Sequence, residues 1–185
     1  MLAAMTLVGF YAWWAGRVTG SMDQGARSTG QGAGSSEQGA GNAAQGVGHP
    51  GYISKAFTIA AVMVAASGLV FDVSGEGLLT LVLVEHAAAS NPVAFADVER
   101  AFTLLSAGGA NGLYTLGGML LTLATPDLPR WVRSAMWATW IAGGAMTVAG
   151  LLDHVGGMVA STVVLFPLLI CWTVWMGAKW RTNDK

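Results

Sequence analysis

Four stretches, 53–71, 108–125, 131–152 and 156–178, are apolar almost throughout and carry at most one basic residue, close to an end. A hydrocarbon core of about 30 Å takes roughly 20 residues of helix at 1.5 Å each. No water reaches the backbone there, so each N–H and C=O must pair within its own segment, which predicts helices. Pro126 and Pro129 stop the second run, and Asp153-His154 stops the third. Arg133 sits near the start of the third, where a long side chain snorkels to the headgroups. A fifth run, 1–16, is shorter but uncharged. It lacks the basic start and small-residue cleavage site of a signal peptide, having Trp13-Trp14 instead, and is read as a retained anchor, with a cleaved segment as the alternative. Only 10% of the 185 residues are charged, where soluble domains carry about a quarter, so the chain reads as a polytopic membrane protein.

Between the first two runs lies QGARSTG-QGAGSSE-QGAGNAA-QGVGHPG, residues 24–51, in which Gln-Gly returns every seventh position. A coiled coil needs large apolar side chains at two positions of each heptad, and these are absent. Each Gly costs a helix about 1 kcal/mol relative to Ala, so the repeat is expected to be a flexible, non-helical linker. The loose dinucleotide pattern at 39–44 has neither the preceding strand nor the following helix that would give it meaning.

Basic residues decide orientation, because loops rich in Lys and Arg stay on the cytoplasmic side. With the N-terminus outside, Arg17, Arg27, Lys55, Arg130, Arg133, Lys179, Arg181 and Lys185 fall at the cytoplasmic face and only Arg100 outside. Trp13, Trp14, Trp131, Trp175 and Trp180 gather at the same face, as headgroup anchors do. The formal net charge of −1 leaves no basic surface for nucleic acid.

Residues 77–90 are apolar but too few to cross, and they contain Glu85 and His86. Asn91-Pro92 then forms a helix cap and first turn, and Phe95, Val98, Phe102 and Leu105 recur at helical spacing. The expected arrangement is a re-entrant or outer-leaflet helix followed by an amphipathic helix lying along the outer surface. Gly108-x-x-x-Gly112, Gly117-Gly118, Gly143-Gly144 and Ala145-x-x-x-Ala149 mark faces for close helix packing, and Pro167 is expected to kink the last span.

Two acid–His pairs, Glu85-His86 and Asp153-His154, then fall on the outer side. If they meet, two imidazoles and two carboxylates make a divalent-metal set, a haem ligand pair from the histidines, or a proton-responsive latch. The plainer reading is charge at water-exposed helix ends. His49 is read as solvated, and Asn111, Tyr114 and Thr115 as interhelical hydrogen-bonding groups or the lining of a small polar pocket. The lone Cys171 permits no intrachain disulfide and reads as a buried small hydrophobe. H-E-x-x-H, G-x-S-x-G and a Walker loop are absent, which disfavours an enzyme.

From residue 53 on, the chain resembles small bacterial four-span membrane proteins in general layout, which implies a bacterial inner membrane. The expected fold is all-α, a transmembrane bundle of about five spans with a short outer-face helical segment. Its parts are an anchor at 1–17, a cytoplasmic linker at 18–52, a four-span bundle at 53–178 with an outer cap at 74–107, and a basic cytoplasmic tail at 179–185. The expected role is a non-catalytic accessory or scaffold subunit, with lipid and other membrane subunits or itself as partners. A metal-, haem- or proton-responsive bundle comes second, and a small transporter third.

Overall fold

The computed structural model describes residues 2–30, 50–89 and 91–183, and among them the chain is helical with no strand. The elements in chain order are α1 (Leu2–Gly30), α2 (Pro50–Gly77), a π-helical segment π1 (Leu78–Leu83), α3 (Val84–Ala88), α4 (Pro92–Thr103), a second π segment π2 (Leu104–Ala110), α5 (Asn111–Ala124), α6 (Arg130–Leu151) and α7 (Val155–Asn183). Among the described residues, two helices are long and apolar enough to cross a membrane, Ser54–Ala87 and Val155–Lys179. The other three expected crossings are helical as well, in α1, α5 and α6.

The segments expected as separate outer elements are continuous with their neighbours. α2, π1 and α3 form one rod, and α4, π2 and α5 form a second that returns alongside it. Three residues join them: the Asn91 N–H donates to the His86 carbonyl (3.2 Å), and the Asn91 side chain accepts from the Ala94 N–H (3.2 Å), with Pro92 in the first turn as expected. Thus 77–90 continues the α2 rod instead of forming a separate helix, and 92–105 packs back against it; together they are the tip half of a helical hairpin. The physical reason is that Phe95, Val98, Phe102 and Leu105, each half-buried, spend their apolar stripe on the opposing rod rather than on lipid headgroups.

The body beneath this hairpin is held by close approaches. A methyl on Gly117 would lie 2.9 Å from the Ala61 carbonyl, and one on Gly118 would enter the Trp140 ring, so α5 meets α2 on one side and α6 on the other. α6 and α7 run antiparallel, with Trp131 edge-on to Trp175 at one end (5.0 Å) and Thr162 against Met146 further along. α1 joins through its aromatic residues. Trp14 is fully buried and packs on Trp172 (5.6 Å), which packs on Trp140 (5.8 Å). Of the expected headgroup anchors, Trp13 faces outward but Trp14 turns into the core.

α1 also continues through Gly30, so residues 24–30 are helical where none was expected. The first repeat holds only Gly25 and Gly30, with Ala26 and Arg27 between, and extending an existing helix avoids the cost of nucleation. Residues 31–49, including His49, lie outside the described residues. Cys171, expected buried, is exposed, because α7 is an edge helix with most of its side chains facing outward.

Candidate functional site

The two acid–His pairs do not come together. Ala107 and Gly108 pack against Gly150 and Leu151, which sets the α6–α7 link level with residue 107. His86 belongs to α3 at the hairpin tip, whose neighbours are α4 and π1. About a dozen residues of helix separate those levels, or on the order of 18 Å. Glu85 is exposed and His86 half-buried at the tip, while Asp153 and His154 are exposed at the link. Among the described residues, no group of three or more His, Cys, Asp or Glu side chains is placed to hold a metal ion.

Asp153-His154 has local work instead. Asp153 takes a left-handed backbone conformation (φ 55°), and the Asp153 and His154 N–H groups donate to the carbonyls of Gly150 (3.2 Å) and Ala149 (2.8 Å), closing α6. The His154 Nδ1 then accepts the Gly157 N–H (2.8 Å), and its carbonyl accepts from Met158, capping α7. One dipeptide ends a helix and starts the next, with the ring proton necessarily on Nε2.

Several polar residues of the body join helices, while other hydroxyls bond to carbonyls of their own helix, as Thr58 does to Ser54 (2.8 Å) and Ser67 to Met63 (3.0 Å). Asn111 donates to the Gly143 carbonyl (2.7 Å) and to the Thr147 hydroxyl (2.9 Å). Trp140 and Trp172 donate their indole N–H groups to Thr122 (2.8 Å) and Thr139 (3.1 Å), whose hydroxyls donate in turn to carbonyls one turn back. The Tyr11 hydroxyl donates to the Tyr114 carbonyl (2.9 Å). Arg133, expected to snorkel, folds back onto the Pro126 carbonyl. Of the three residues considered for a polar pocket, Asn111 binds helix to helix and Thr115 fills the space beside Gly143. Tyr114 does something different.

Its ring lies in the notch left by Gly68, with Cε1 2.8 Å from where a methyl would be, and its hydroxyl is buried with no hydrogen-bond partner. Two turns along α2, Gly75 leaves a second notch, occupied by the Ser106 hydroxyl at 2.6 Å; that oxygen is also buried and unpartnered. Asp72 stands between the two glycines on the same helical stripe and interacts electrostatically with Tyr114. Asp72 is not among the site residues that the sequence singles out. The signal was Gly68-x-x-x-Asp72-x-x-Gly75, an acid held between two close-approach residues in an apolar run.

A separate open groove of about 520 Å³ lies between α1 and α7, lined by residues that include Gly9, Phe10, Thr173 and Gly177. Compared with known families, curated proteins and solved structures, the chain matches none.

Proposed function

We propose that the chain is a multi-pass membrane protein crossing the bilayer five times, N-terminus outside and C-terminus in the cytoplasm, that serves as a non-catalytic accessory or scaffold subunit. Its partner is a larger membrane complex or a second copy of itself. The observation that carries this reading is the contrast between inside and outside. Polar side chains in the body are mostly hydrogen-bonded within it, between helices or to carbonyls of their own helix, while large apolar ones face outward along the whole body: Ile141 is 68% exposed and Met63, Val163 and Val174 are each 66% exposed. An apolar exterior of that extent suits lipid or another helix and is foreign to a soluble monomer.

Charge supports the orientation. Lys55, Arg130, Arg133 and Lys179 stand at one end of the body, where Ser54 bonds to the Ala124 carbonyl (3.0 Å) and Lys179 lies over Trp175 (5.1 Å). Asp72, Glu76 and Asp153 stand at the other, below the hairpin. A bacterial inner membrane with the basic end inward satisfies the positive-inside rule.

The test is purification of the full chain in a gentle detergent with in-cell crosslinking beforehand. The expected product is a stoichiometric hetero- or homo-complex, without visible absorbance, unchanged in assembly by His86→Ala. A solitary monomer, or a Soret band or bound metal lost with His86→Ala or His154→Ala, would overturn the proposal in favour of the ligand-binding alternative.

A further inference from the structure

In the five-crossing reading Asp72 lies near the outer end of the body, half-buried among apolar neighbours, where a carboxylate is favoured by a positive charge held beside it. The stripe Gly68–Asp72–Gly75 faces π2 and α5. About one turn to either side of Asp72 are the Gly68 notch, holding the Tyr114 ring on a side chain only 9% exposed, and the Gly75 notch, holding the Ser106 hydroxyl; both hydroxyls are buried without hydrogen-bond partners, and Asp72 acts electrostatically on Tyr114. Helical side chains lean toward the helix start, which aims the Tyr114 hydroxyl up α5 to the level of Asp72. The Ala110 carbonyl lines the first of these notches, 3.1 Å from the methyl position of Gly68. π2 itself, where the Asn111 N–H reaches back five residues to the Ser106 carbonyl, is the kind of interruption that collects at ligand sites in helices.

We propose that the stretch between these two notches, centred on Asp72, binds a small monovalent cation, Na⁺, with the Asp72 carboxylate, the Tyr114 and Ser106 hydroxyls and a π2 carbonyl as its oxygen donors. Every donor is a hard oxygen, which selects alkali and alkaline-earth ions over zinc or copper. Asp72 supplies the carboxylate, and Glu76, one turn along α2, adds a second negative charge that favours a cation there. The hydroxyls explain themselves as ligands, since an oxygen lone pair turned to a cation needs no hydrogen-bond donor. Gly75 explains itself too, because a methyl there would displace Ser106. The site is independent of whether the chain is a subunit, and nothing in it touches the acid–His pairs.

The amino-terminal charge also acts on Asp72, so the full chain is prepared with an N-terminal extension that moves that charge away. Thermal midpoints in detergent are compared in NaCl and in choline chloride at equal ionic strength. The expected result is a rise of about 3–5 °C between zero and about 100 mM Na⁺ with no rise in choline, abolished by Asp72→Asn. Tyr114→Phe keeps the assay decisive if Asp72→Asn fails to fold. It removes an oxygen that makes no hydrogen bond, so a purely structural Tyr114 predicts an unchanged or higher midpoint and an unchanged Na⁺ response. Ligation predicts that about tenfold more Na⁺ is needed for the same rise. Coincident Na⁺ and choline curves, or a Na⁺-specific rise that survives both substitutions, would overturn the site.

Discussion

At the scale of single residues, Asp153 and His154 show how a pair that invites a metal reading can be fully employed by the backbone. Asp153 holds a left-handed conformation that costs most L-residues about 1–2 kcal/mol, less for Asp, and its side chain is exposed. Asp153→Gly is therefore expected to stabilise the fold by up to about 1 kcal/mol, read as a higher midpoint in detergent titration. His154 supplies a ring nitrogen to the Gly157 N–H. His154→Ala should cost about 1 kcal/mol, and His154→Asn should restore most of it, because a carboxamide oxygen caps as well. A metal role for His154 predicts the opposite order of interest, with a change in metal content and no rescue by Asn.

At the scale of elements, the helical runs were legible from their apolar lengths, and the stops at Pro126 and Asp153 fell where α5 and α6 end. The hairpin was not legible, because 77–90 is too short to cross alone and carries Glu85 and His86, so it reads as a separate element, whereas the close approach of Ser106 to Gly75 and the packing of α4 on π1 join it to its neighbours. Nor was the stretch centred on Asp72, since pairing it with Ser106 and Tyr114 depends on the register of two rods that sequence periodicity does not set. The small-residue faces were legible as a class but not one by one. Gly117→Ala presses a methyl onto a backbone carbonyl that cannot move aside, whereas Gly144 has open space around it. The expected outcome is a loss of about 1–3 kcal/mol for Gly117→Ala and no loss, or a gain of a few tenths, for Gly144→Ala. Equal effects of the two in the same unfolding assay would show that the α2–α5 approach is looser than described.

At the scale of the whole molecule, α6 is about 33 Å long, close to one bilayer core, while the rod from Pro50 to Ala88 is about 58 Å. Ser54 near the basic end is level with Ala124, and Ala107 near the other end is level with Gly150. The excess, roughly 25 Å of hairpin carrying Glu85, Asp97, Glu99 and Arg100, therefore stands beyond the body on the side away from Lys55, Arg130, Arg133 and Lys179. In the five-crossing arrangement this hairpin projects from the outer face, and the repeat and the C-terminal tail share the cytoplasm. With Cys171 replaced by Ala, single cysteines at Ser35 and Thr182 should be labelled by an impermeant thiol reagent only after the cells are opened. A cysteine at Glu99 should be labelled in intact cells. The reverse pattern would invert the molecule. Labelling of Glu99 and Thr182 from the same side would reveal an even number of crossings between them, so that α5, α6 and α7 could not all span.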